Sequence, residues 1–385
     1  QNIGIGSYAL NHSTGNANVA VGLAALYENT SGSANVAVGN NAMRLNTTGG
    51  SNVAVGSQAL YNNTTGNYSV AMGVDALAYN TTGSRNTAVG YSALRSITTS
   101  SYNVAMGGDA LLSNTIGDGN VASGYQALKA NTSGAFNVAS GYQALLNKTS
   151  GDNNVAIGTW ALRDTTIAGG NVAIGRSALQ SNTTASDNVA IGCNALYANT
   201  TGTENIGIGA DALRSNTTGV RNVFIGSGSG YSLTTGGSNN GMGWFALRSA
   251  TTGIENTALG NYSLSGLTTG SKSVAVGGTA LSSTTTGGNN VAVGWHALTT
   301  NVTGGANVAL GFAAGRNNAG SYNTFIGDSV NNNWTTATST GEANSVVGAW
   351  SFQSNTTGQD NSVLGCVSLQ ANTTGNYNVA IGREV

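Results

Sequence analysis

Proline is missing from this chain altogether. A backbone without it keeps every N–H as a donor, which suits a fold built on inter-strand hydrogen bonds. Charge is scarce: charged residues make up 7% and the net charge is −1. With no basic patch, a nucleic-acid partner is excluded. Disorder needs low hydrophobicity with high charge, and neither holds. No run of 18 or more apolar residues occurs, so no helix of this segment inserts into a membrane. The two cysteines, Cys193 and Cys366, stand ten repeats apart, roughly 47 Å at about 4.7 Å per strand. That distance forbids a disulfide within one chain.

The same scarcity bears on chemistry. His12 and His296 are far apart, and no His/Cys/Asp cluster has zinc spacing. The Gly-Gly-x-Gly-x-Asp calcium repeat is absent. The glycine string Gly226–Gly230 has no helix pattern after it, so it is no phosphate loop. Asp75 and Asp109 share a repeat position two coils apart, about 9.5 Å, near the separation that inverting glycosidases use. That position is variable along the chain, and Asp211 occupies it alone. We expect no enzyme, no metal and no cofactor.

What the chain does have is one motif written 23 times. An Asn-Val-Ala-Val-Gly block opens at Asn18, Asn35 and Asn52 and returns every 17 residues as far as Asn307. Such a period marks a solenoid, one coil per repeat. Counting from the asparagine as zero, only Ser69 and Ser273 replace it, and position four is always glycine. The pairs Asn35 and Gly39, Asn52 and Gly56, Asn154 and Gly158, and Asn188 and Gly192 stand for these structural columns. Positions one and three are large and apolar, while two and four are small. This alternation predicts a strand buried on both faces, with alanine and glycine sharing one of them. Ala-Leu at positions seven and eight predicts a second short strand, with the leucine facing the Val/Ile side inside the coil. Asn-Thr-Thr-Gly then predicts a turn with glycine at positive φ. The expected fold is all-β: a parallel β-solenoid of 23 coils with two short strands per coil, forming one continuous domain over residues 1–385. The strand's alanine and glycine face would leave an apolar stripe for partner chains.

The Asn-Val-Ala-Ile-Gly blocks at Asn154–Gly158 and Asn188–Gly192 resemble the head repeats of YadA-like trimeric autotransporter adhesins, also seen in bacteriophage tail fibres. The likeness covers essentially the whole chain, although these coils are longer by an added Asn-Thr-Thr-Gly turn. It implies a left-handed parallel β-roll, a homotrimer, and a non-enzymatic structural or adhesive fibre, extracellular, on a cell surface or virion. A receptor would be a cell-surface glycan or protein.

Some positions break the pattern. The coil at 323–343 carries an insertion that includes Trp334, and Gly230 and Gly315 replace the usual leucine. Position five varies and holds Tyr91, Tyr125, Tyr142, Trp244 and Trp295; with Trp334 these are candidate glycan contacts, since an aromatic face can stack on a sugar ring. Position nine holds Arg44, Arg95, Lys129, Arg163, Arg214 and Arg248, read as a solvated column that discourages lateral aggregation. Both ends are abrupt, without polar capping repeats, as expected of an excerpt or of coils that stack end to end. Two alternatives therefore stand beside the fibre: a self-assembling filament polymerising end to end, and an ice-binding solenoid that uses its threonine rows.

Overall fold

The computed structural model describes residues 1–332 and 338–385. They fall into two compact units, Gln1–Asn188 and Val189–Val385. Both are all-β, and no helix occurs among the described residues. The first unit has eleven three-residue strands, from Ile3–Ile5 to Val172–Ile174, and the second has twelve, from Val189–Ile191 to Val379–Ile381. Neighbouring strands pair in parallel with one repeat of offset: Val36 faces Val53, Ala37 faces Ala54, Val38 faces Val55. The inserted coil keeps this register, Thr324 facing Ser345 and Ile326 facing Val347. The architecture is the expected parallel β-solenoid of about 17-residue coils.

The interior differs from the sequence expectation. Alanine at position two points inward: Ala20, Ala37, Ala54, Ala88 and Ala190 are fully buried. The large residues at positions one and three point outward, so the strand Val53–Val55 is half-exposed, buried, half-exposed. Leucine at position eight packs against the alanine column, not the valines. A methyl group at Gly207, which stands in that column, would lie 3.3 Å from Leu196 Cγ. Each core layer is therefore thin: two alanines, one leucine and two buried asparagines, such as Ala54, Ala59, Leu60, Asn52 and Asn63.

The reason is backbone geometry. The Ala-Leu segment is not a second strand; each coil of the described residues has a single strand, followed by turns. Gln58, Leu60 and Ser51 take φ of 58°, 53° and 60°, and the equivalent residues recur coil after coil. Left-handed L-residues cost about 1–2 kcal/mol each. Here each sends its N–H into an adjacent coil: Ser51 to Ser33 O, Gln58 to Asn40 O and Leu60 to Ala76 O, all at 2.9 Å. These reversals let a short coil close around alanine-sized contents.

The position-four glycine is also corrected. It does not share the buried alanine face: Gly39 is half-buried and lies just past the end of the strand Val36–Val38. Gly56, Gly158 and Gly192 are half-buried in the same place. The column is glycine because the chain turns there with no room for a side chain. Gly39 has φ 139°, and a Cβ on it would lie 2.6 Å from the Gly56 carbonyl carbon. Gly158 and Gly192, at φ 129° and 133°, meet the carbonyls of Gly175 and Gly209 in the same way.

The turn glycine differs again. In Asn-Thr-Thr-Gly it was expected at positive φ, yet Gly49, Gly66 and Gly83 do not take it. They are glycine for lack of room alone, because a Cβ on Gly66 would run into the Gly83 carbonyl and the Asn63 amide. The leucine replacements also have a packing cause. Phe224 and Phe325 stand in the alanine column, and a Cβ on Gly230 would lie 2.8 Å from Phe224 Cδ1, one on Gly315 2.6 Å from Phe325 Cδ2. Large-for-small at one position is matched by small-for-large at the other, which conserves core volume.

Candidate functional site

The turned-out strand face is a feature that could meet a partner. Positions one and three form two mostly apolar columns in each unit, repeating at the ~4.7 Å strand spacing. They are interrupted by Thr87, Ser123 and Ser140 in the first unit and by Asn240, Thr257, Thr324, Ser345 and Ser362 in the second. Met72, Val89, Met106 and Ile157 are exposed in the first unit, and Met242, Leu259, Leu310 and Leu364 in the second. In the second unit Val347, Leu364, Val379 and Ile381 also line a shallow apolar depression of about 240 Å³. Exposed apolar side chains repeated coil after coil mark an interaction site.

The position-five aromatics are also at the surface. Tyr91 is 63% exposed and Trp295 52%. Tyr125 and Tyr142 stack with centroids 5.7 Å apart and planes at 21°. Trp244 and Trp295 do not meet each other; each gathers a cluster of its own. Trp244 stacks on Phe245 at 4.4 Å and meets Tyr262 edge-on at 5.0 Å. Trp295 lies 3.9 Å from His296 and 5.4 Å from Phe312. Burial, then the charge of Arg316, holds the His296 pKa below its ordinary value. Its Nδ1 is 2.6 Å from Thr279 Oγ1. Trp334 lies outside the described residues.

The asparagine column reads as a hydrogen-bond ladder. Asn35 Nδ2 donates to Gly49 O at 2.8 Å, and Asn35 Oδ1 accepts from Asn52 N at 3.0 Å. Asn154 and Asn188 hold the same place: Asn154 donates to Asn137 Oδ1 and accepts from Asn171 N, and Asn188 donates to Asn171 Oδ1. In the turns, the first threonine spends its hydroxyl on the next coil, as in Thr47 Oγ1 to Thr64 O at 2.9 Å. One threonine column, Thr48, Thr65 and Thr82, stays exposed.

The basic column differs from the solvated row expected of it. Arg44 is held between the rings of Tyr27 and Tyr61, at 5.6 and 6.0 Å, and donates to Tyr61 OH at 2.8 Å. Arg214 sits likewise between Tyr197 and Tyr231. Arg85, in the column before the asparagine, sits between Tyr68 and Tyr102. Cation–π contact fixes these guanidinium groups. The signal was available in sequence, as Tyr, Arg, Tyr at successive 17-residue steps. Asp75 and Asp109 each face a cation rather than one another: Arg95 at 3.9 Å and Lys129 at 3.2 Å. Asp211 faces Arg214 at 3.5 Å.

One residue escaped the sequence reading. Lys148 occupies the position of the turn asparagine and is fully buried. Its Nζ donates to Ser150 O and, at 3.0 Å, to Ala168 O in the next coil. Burial lowers its pKa from 10.5 to about 8, against the opposing pull of Asp152. Among the described residues no group of three or more His, Cys, Asp or Glu is placed to hold a metal ion. No helix among them is long and apolar enough to cross a membrane. Compared with known proteins, the chain matches no family model and no curated sequence.

Proposed function

We propose that this chain is a structural or adhesive segment of an extracellular fibre, on a cell surface or virion, and that it works as a homotrimer. The observation that carries this reading is the outward Val/Ile/Leu/Met face. A flat apolar face on each of three chains closes into a common core about a three-fold axis, which removes it from water. The alanine face cannot serve, because it already fills the coil. The exposed position-five aromatics then supply sites for a cell-surface glycan or protein receptor. Within each unit, a lattice of inter-coil hydrogen bonds over a thin core gives stiffness, which suits a support more than a moving part.

Negative-stain electron microscopy of the full chain at two concentrations tests this. The fibre-segment reading expects discrete particles of one size at both. Threads that lengthen with concentration would replace it with the end-to-end filament.

A further inference from the structure

A cleft in the first unit is lined by Asn41, Gln58, Tyr61, Asp75, Tyr79 and Arg95, with Ala78 at its base and a volume of about 400 Å³. It exists because of one residue. Position nine carries large side chains in the flanking coils, Tyr61 and Arg95, while Ala78 between them is small and buried. Where that position is filled, as at Tyr27, Arg44 and Tyr61, rings and guanidinium close on each other. At Ala78 the stack is interrupted and a gap opens.

The polar lining is also unlike the rest of its column. Position six elsewhere links coil to coil through side chains: Gln143 Nε2 donates to Gln126 Oε1 at 3.0 Å, and Trp160 Nε1 to Gln143 Oε1 at 3.2 Å. Around the cleft, Asn41, Gln58 and Asp75 occupy the same column, yet among the described residues their side chains make no hydrogen bond. The side-chain amide of Asn62, also in the lining, makes none either, while its backbone N–H donates to Ala78 O at 3.0 Å. Amides both donate and accept, as sugar hydroxyls do. Tyr61 adds a ring face for the C–H side of a sugar, while the Tyr79 ring is covered by the Arg95 guanidinium at 5.2 Å. Asp75 and Arg95 face each other at 3.9 Å, so the lining's charges cancel. The volume falls in the roughly 300–1,000 Å³ range of small-molecule sites.

We infer that this cleft binds one neutral pyranose unit of a glycan, with Asn41, Gln58, Asn62 and Asp75 reading its hydroxyls and Tyr61 packing its apolar face. The inference goes beyond the proposed assembly and does not rest on it, since the lining lies in Gln1–Asn188 and uses no residue of the apolar strand face.

Saturation-transfer NMR on the full chain tests it, with the methyl glycosides of glucose, galactose, mannose and N-acetylglucosamine as probes. At least one should show transfer at millimolar concentration. Ala78→Tyr, which refills the stack, should weaken that sugar at least ~tenfold. Asn41→Ala with Gln58→Ala, which leaves the stack and the Asp75–Arg95 pair alone, should weaken it about fivefold. Tyr377→Ala, at an exposed tyrosine outside the cleft and outside position five, should leave it unchanged. Circular dichroism reports whether each variant folds. Absence of transfer from all four sugars overturns the inference, and so does binding that survives in a folded Ala78→Tyr or in the double variant. A light-scattering mass on the same sample reports on assembly separately.

Discussion

Each unit contains two columns of buried asparagine, and they are not equally kept. The column that opens each block is interrupted only by Ser69 and Ser273. The column that opens each turn gives way to Ser13, Ile97, Lys148, Thr165, Leu233, Ala250, Leu267, Thr284 and Ser339. Both sets of amides donate to the same carbonyl: Gly66 O receives Asn52 Nδ2 at 2.9 Å and Asn63 Nδ2 at 3.0 Å. The difference lies in what their oxygens accept. Asn52 Oδ1 takes the backbone N–H of Ser69 at 2.8 Å, whereas Asn63 Oδ1 takes only the side chain of Asn80 at 2.9 Å. A buried backbone N–H without a partner is costly. Even the two serines keep the bond, Asn86 N donating to Ser69 Oγ at 3.3 Å and Asn290 N to Ser273 Oγ at 3.2 Å. The obligatory column serves the backbone, and the dispensable one serves mainly itself. Breaks in the second column leave a trace: the buried Oδ1 atoms of Asn80, Asn131 and Asn216 lack partners, one coil before Ile97, Lys148 and Leu233, although Asn301 Oδ1 lacks one too, one coil before Asn318.

The largest test of this contrast is Asn52→Leu against Asn63→Leu. The first strands a backbone N–H, and at about 1–3 kcal/mol per buried group it should cost roughly 3 kcal/mol or more. The second should cost about 1 kcal/mol, because leucine already fills equivalent sites at Leu233 and Leu267. Chemical denaturation of both variants decides it; equal costs would break the distinction.

Lys148→Asn sharpens the contrast next. Below pH 8 the lysine is charged in both folded and unfolded chains, and the fold bears the full cost of burying it. Between about 8 and 10.5 the folded chain gives up its proton first, so stability rises with pH across that window. Lys148→Asn should gain about 2–3 kcal/mol at pH 7 and flatten the rise. Denaturation midpoints at pH 7 and pH 10 would show both effects, and a rise of the same size in the variant would assign it elsewhere.

Ile97→Asn should do least. It offers a donor to the orphaned Asn80 Oδ1 but gives up a buried apolar side chain. Opposing terms of about 1–3 kcal/mol each leave a net change within about 1 kcal/mol. A thermal melt that falls sharply would mean the second column is closed to new amides.

The repeat, the parallel stacking and the asparagine ladder were legible because identical residues recur at one spacing. The facing of the strand was not. Val-Ala-Val reads the same whichever side is inward, and the answer came from left-handed φ at residues such as Leu60 and Gln58, which carry no sequence mark of that conformation. Gly39 misled for a related reason: its smallness fits a continued strand, while its φ ends one. The Phe224–Gly230 exchange was half-visible: the glycine looked like a break until the phenylalanine was found filling its space. The cleft over Ala78 was invisible, because alanine in a variable column signals nothing until its neighbours are known to stack. Lys148 was hidden for the opposite reason, since lysine in a turn reads as solvated.

The central claim is that the outward valine face is covered by copies of the chain. Light scattering in native buffer tests it most directly, comparing the full chain with a variant carrying Val36→Lys, Val53→Lys and Val70→Lys. The account predicts a mass three times the 38.3 kDa of one chain, and dissociation of the variant. A wild-type mass of 38.3 kDa would contradict it.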